Sequence, residues 1–170
     1  MSHDLAAPAA GLKAHLDLLY GRYGATYLET DPICFPRRYS RREDREVIGL
    51  LAASLAYGRV AQIKDSIEKV ARILGPHPAR FIRRLDPAAS QGLLRGFVHR
   101  FNDARDVGIL LYFVRQMLEE KGSIEAFFLE GYSDRHENVG PALSSFVSRT
   151  LDLDASPWYS GGRLPPSAGV

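Results

Sequence analysis

Between Asp31 and Arg59 the chain reads DPICFPRRYSRREDREVIGLLAASLAYGR, with Arg37, Arg38, Arg41, Arg42 and Arg45 ahead of an apolar run that stops at Tyr57-Gly58-Arg59. Arginine's planar fork binds phosphate oxygens two at a time, and its plane stacks on bases and aromatic rings. The chemistry on offer here is recognition of a polyanion. Arg59, next to a helix-ending glycine, either touches phosphate or caps carbonyls of the preceding helix. Tyr57 either stacks on a base or packs in the core with its hydroxyl bonded. Arg37 and Arg38, on an irregular segment after Pro36, suit backbone-phosphate contacts or pairing with Asp31 or Glu43. Arg100 beside Phe101 is a further phosphate candidate, or packs its stem on that ring. Arg80, Arg83 and Arg84 read as a solvated helix face.

Other chemistries find less support. His3, His15, His77, His99 and His136 are scattered without metal-ligand spacing, and Cys34 is the single cysteine, so neither a metal nor a cofactor is expected. Cys34, between Ile33 and Phe35, reads as a small packed residue. Ser54 lies in an apolar helix, where bonding back to a carbonyl is the usual fate of a serine. Gly161-Gly162 lacks the lysine and hydroxyl context of a phosphate loop. No catalytic residue is assigned.

Net charge of +2 conceals a segregation: residues 37–105 hold fifteen basic and seven acidic side chains, whereas residues 106–170 hold five and nine. Thirteen of the central cations are arginine, the exceptions being Lys64 and Lys69. That asymmetry favours a polyanion surface more than the net charge does. At 170 residues the chain suits one domain. Its best apolar run, Val47 to Tyr57, falls short of the ~18 residues of a membrane span. The N-terminus lacks the basic start and apolar core of a signal peptide, and the expected location is the cytoplasm.

The elements that must position these residues are helical almost throughout. Leu12, Leu16, Leu19 and Tyr23 form a stripe at helical spacing. Pro32 and Pro36 break residues 25–39 into an irregular connection. Ser40-Arg41-Arg42-Glu43 predicts a capping box. Val47 to Tyr57, apolar all round but for Ser54, predicts a central helix packed on several sides, with Gly49, Ala52, Ala53 and Ala56 allowing close approach. Val60 to Leu74 predicts a second helix ended by Gly75-Pro76, and Pro78 to Leu85 a short one. Asp103 with Asp106 starts another, Ser123 caps a brief one, and Pro141 to Leu151 supplies the last. No strand-like alternation is expected. The class is all-α, an orthogonal multi-helix array. Residues 1–155 are expected to form one helical domain and residues 156–170 a disordered or truncated tail holding Trp158 and Tyr159.

Several motifs together carry a resemblance: DP-x-x-FP-x-RY from Asp31 to Tyr39, DREV-x-G from Asp44 to Gly49, LAYGR from Leu55 to Arg59, His99-Arg100-Phe101 ahead of Asp106, and KGSIE from Lys121 to Glu125. From about Leu12 to Leu151 the chain resembles the N-terminal half of an uncharacterised bacterial family, the domain of unknown function 2400. That family is more distantly similar to the helix-hairpin-helix DNA glycosylases, in which a buried helix ends in a loop that reaches the DNA stack. The likeness implies an all-helical fold, DNA as partner, and Tyr57, Gly58 and Arg59 close to it. It also implies that the family's catalytic segment lies beyond this sequence, leaving a truncated DNA-binding or repair-like domain without glycosylase or lyase activity. The competing expectation is a helical protein-interaction module that self-associates through exposed apolar surface.

Overall fold

The computed structural model describes residues 6–24, 27–87 and 92–158, with side chains from residue 11 onward. Helix α1 (Ala6–Arg22) leads into three 3-10 turns, Tyr27–Thr30, Pro32–Cys34 and Pro36–Arg38. Helices α2 (Arg42–Ser54), α3 (Val60–Leu74) and α4 (Pro78–Arg83) follow. A two-stranded antiparallel hairpin, β1 (Val98–His99) with β2 (Asn102–Asp103), pairs Val98 with Asp103 and His99 with Asn102. Helices α5 (Ala104–Lys121), α6 (Ile124–Leu129) and α7 (Gly140–Leu151) complete the array, and Ser156–Trp158 makes a last 3-10 turn. The fold is all-α with one small hairpin that the sequence reading did not expect.

One apolar core joins these elements. Val47, Ile48 and Leu51 of α2 are buried with Ile63, Ile67, Val70 and Leu74 of α3 and with Val107, Leu111, Val114, Met117 and Leu118 of α5. The buried α3 and α5 residues recur at helical spacing, as burial of one stripe per surface helix requires, while Val60 at the start of α3 is exposed. α2 packs on α3, α4 and α6, and α5 packs on α4 and α6.

Helix ends explain where several charges go. The Asp103 carboxylate accepts from the Arg105 and Asp106 amides while Asp106 accepts from the Asp103 amide, a complete capping box. Ser123 accepts from the Ala126 amide and Gly122 closes α5 in the left-handed region, φ 83°. Arginines cap helix C-termini from a distance. Arg83 donates to the Leu118 and Gly122 carbonyls and Arg149 to the Phe127 carbonyl, each a cation at the negative end of a helix. Arg83 is therefore a structural tie, not part of a solvated face.

Three expectations are corrected. α2 starts at Arg42 with Arg41 as its N-cap and no side-chain cap, so Ser40 makes no capping box. Other acids near the start of α2 have tertiary partners. Asp44, buried, accepts from the Ala79 amide at the start of α4, and Glu46 accepts from the Glu125 amide. α2 packs on several sides as expected but ends at Ser54, before Gly58, and Ala53, Ser54 and Ala56 are exposed. Trp158 is not stranded. It is buried at 3% exposure, and a Cβ built on Gly108 would lie 2.3 Å from its Cη2 atom. That contact explains a glycine inside α5, where alanine would favour the helix by about 1 kcal/mol. Residues 159–170 of the expected tail lie outside the described residues.

Candidate nucleic-acid interface

The α2–α3 turn, Leu55 to Arg59, is tied to the hairpin side by side. Tyr57 donates its hydroxyl to Asn102 Oδ1, with the His99 carbonyl 3.2 Å away. The rings of Tyr57 and His99 meet edge to face, centroids 4.9 Å apart. His99 is itself buried at 3% exposure, and its Nδ1 lies 2.9 Å from Ser66 Oγ on α3. A tyrosine hydroxyl and a buried histidine with partners hold geometry firmly, because breaking either leaves a desolvated polar group. Tyr57 is thus engaged by the fold, the second of its two sequence readings, and it fixes the hairpin against the turn.

Gly58 sits at φ 107°, a conformation that side chains resist, and the stem of Arg100 passes directly over it. A Cβ built on Gly58 would lie 3.2 Å from Arg100 Nε and 3.4 Å from its Cδ. The hairpin thus lays Arg100 over the glycine that directly precedes Arg59. Both are exposed. Neither guanidinium makes an ion pair or hydrogen bond with another described residue. Lys69, on the hairpin side of α3, is likewise exposed and unpaired among the described residues.

Arg37 and Arg38 stand elsewhere. Arg38 donates to Glu68 at 2.5 Å and stacks over Phe35, 4.3 Å from the ring centroid. Its partner is Glu68 of α3, not Asp31 or Glu43. Lys64 and Glu68 face the 3-10 turns, while Gln62, Asp65, Ser66 and Lys69 face the hairpin. At 3.6 residues per turn those two faces of α3 are ~130° apart. Arg37 is exposed on the same 3-10 turn as Arg38. Of the six candidate residues the structure gathers Tyr57, Gly58, Arg59 and Arg100, and keeps Arg37 and Arg38 on a separate flank.

The family model described as protein of unknown function (DUF2400) matches residues 31–162. The chain belongs to the DUF2400 family. No curated protein and no solved structure matches it. The match in this DUF2400 chain takes in both the turn and the hairpin, and it runs past Leu151 to include the buried Trp158. No described helix is long and apolar enough to cross a membrane.

Electrostatics separate the two flanks of the DUF2400 protein. Hydrogen bonds from Arg38 and then Arg72 hold the Glu68 carboxyl below its ordinary range, and the Glu68 bond raises Arg38 in turn. A carboxylate with a depressed folded pKa adds stability above its unfolded value, about 4.3, and loses it as pH falls through the folded value. Glu68→Gln is expected to lower the urea midpoint at neutral pH by the equivalent of up to ~1 kcal/mol, the range of a solvent-screened pair. The gap to wild type should narrow at acid pH, as pH falls through the lowered folded value and residue 68 loses its charge. A gap of the same size at neutral and acid pH would contradict this assignment.

The sequence reading missed the hairpin and with it Phe101, His99 and Asn102. A signal was present. Phe97 and His99 are buried and Val98 between them is exposed, the period-two alternation of a strand. Its two residues per strand are too few to stand out, and its loop, Arg100-Phe101, lacks the Asn-Gly chemistry that marks a tight hairpin.

Proposed function

We propose that this DUF2400 chain is a DNA-binding, repair-like domain that grips the phosphate backbone through the Tyr57–Arg59 turn and Arg100. The observation that carries the reading is the stem of Arg100 lying over Gly58, the glycine that directly precedes Arg59. Unpaired, exposed arginines on a scaffold fixed by buried polar contacts are pre-organised for phosphate and need no rearrangement. Arg37, together with Arg38 once it exchanges Glu68 for phosphate, would extend the contact along a second flank. Tyr57 and Gly58 serve by position. An arrangement like that of the helix-hairpin-helix glycosylases, as the sequence resemblance implies, would turn the end of α2 toward DNA, and the role proposed is binding, without base excision.

Fluorescence anisotropy of a labelled 20-mer duplex at low and moderate salt tests it. Binding should be measurable at low salt and weaken with salt, because each phosphate contact releases counterions. Arg59→Ala should weaken it about tenfold or more, the scale of one lost charge-assisted hydrogen bond. Arg84→Ala, on the distant α4 end, should leave it unchanged. A folded protein that shows no binding at low salt would end the DNA reading.

A second reading has its own observation. Leu12, Leu16 and Leu19 on α1 with Tyr23 just past its end, and Leu143, Val147 and Leu151 on α7, are all exposed. Two apolar stripes open to water favour a helical protein-interaction module that self-associates. Sedimentation velocity separates the readings: association that is insensitive to salt, with no DNA bound, supports the module.

A further inference from the structure

The hairpin tip carries the most exposed large apolar side chain among the described residues. Phe101 is 92% exposed, whereas the hairpin beneath it is tied to its neighbours by polar contacts. His99 is buried against Ser66, Asn102 is held by Tyr57, and Asp103 caps α5. The loop has only two residues, and Arg100 takes φ 57° at its first position, where glycine is the usual choice. A strained non-glycine residue and a bare aromatic ring side by side are costly for folding and water alike, and such outliers concentrate at functional positions. The charged ends of Arg100, Lys69 and Arg59 have no ion pair or hydrogen bond among the described residues. Lys69 and Arg100 line a polar recess of about 400 Å³ between α3 and the hairpin, together with Gln62, Asp65 and His99. The buried Nε2 of His99 has no partner among the described residues.

We propose that Phe101 stacks on an unpaired nucleobase while Arg100, Lys69 and Arg59 hold the flanking phosphates. This rests on the DNA-binding reading and specifies the form of DNA. Cations that track a backbone, combined with an aromatic face for the base, are the physical basis of binding to unpaired strands. The ring stands on a narrow, rigid tip, so it reaches a base only where a π-face is open, at a bulge, gap or single-stranded segment. Cation contacts alone do not need that opening. The ring therefore adds affinity for unpaired DNA and little for intact duplex.

The test compares the full 170-residue protein and Phe101→Ala on two labelled duplexes of equal length, one intact and one with a single bulged 2-aminopurine. Wild type is expected to bind the bulged duplex more tightly and to quench the 2-aminopurine by stacking. Phe101→Ala should lose about 5- to 150-fold on the bulged duplex and lose the quenching, while binding the intact duplex as wild type does. Phe101→Tyr should restore both, and unchanged circular dichroism is expected because the ring touches solvent. Wild-type affinity and quenching retained in Phe101→Ala would overturn the stacking role and leave the DNA reading standing. Failure of the wild type to bind either duplex would overturn both.

Discussion

Replacing Trp158 by alanine is expected to cost about 3–5 kcal/mol of stability, the range for truncating a large buried aromatic. The indole is buried against Gly108 in the middle of α5, and Arg105 donates to the Trp158 carbonyl at 2.7 Å. Removing the ring leaves a void beside a glycine that has no side chain to fill it. Trp158→Phe should cost much less. It keeps an aromatic plane on Gly108 and removes an indole N–H that is buried without a partner among the described residues. Urea denaturation followed by circular dichroism checks the order, wild type above phenylalanine above alanine. Equal midpoints for wild type and Trp158→Ala would show that the last turn adds nothing to the fold.

Replacing Arg59 and Arg100 together should have the largest effect on binding. Each side chain is exposed and without a polar partner among the described residues, so alanine would remove the proposed contact to DNA without leaving a buried group unsatisfied. A hydrogen bond to a charged group is worth about 1.5–3 kcal/mol, so each loss corresponds to roughly 10- to 150-fold in affinity. Arg100 lies over the glycine that directly precedes Arg59, and their effects need not add. A double-mutant cycle in DNA affinity measures the coupling. The pair is expected to remove most duplex binding while leaving the urea midpoint within about 0.5 kcal/mol of wild type, as surface substitutions do. A stability loss matching the binding loss would mean that the arginines hold the fold and not a ligand.

Much of the helical frame was legible in the sequence because local signals and burial agree there. The 3.6-residue stripes of Val60 to Leu74 and Ala104 to Lys121, the Asp103–Asp106 box and the Ser123 cap each combine a short-range hydrogen bond with an apolar face. Where long-range partners compete, the local signal fails. Ser40 with Glu43 has the letters of a capping box, yet Arg83 lies 3.9 Å from Glu43 across the structure and Asp44 is taken by α4. α2 stops at Ser54, short of its apolar run, and Tyr57 beyond it bonds Asn102, a contact spanning 45 residues that no periodicity encodes. The arginines divide on the same principle. The side chains of Arg59 and Arg100 stay unpaired among the described residues, while Arg38, Arg83 and Arg149 are bound to a carboxylate or to helix carbonyls. Counting cations along the chain could not tell these uses apart, because each is decided by which helix end or acid lies opposite in space.

The salt dependence of DNA affinity tests the central claim most directly. A plot of log K against log salt for the wild-type protein and a 20-mer duplex should be linear, with a slope of about −2 or steeper for two or more phosphate contacts. The Arg59→Ala, Arg100→Ala double variant should flatten that slope by about 2, one for each contact removed. A wild-type slope near zero, or an unchanged slope in the double variant, would contradict a phosphate-binding surface at the turn and hairpin.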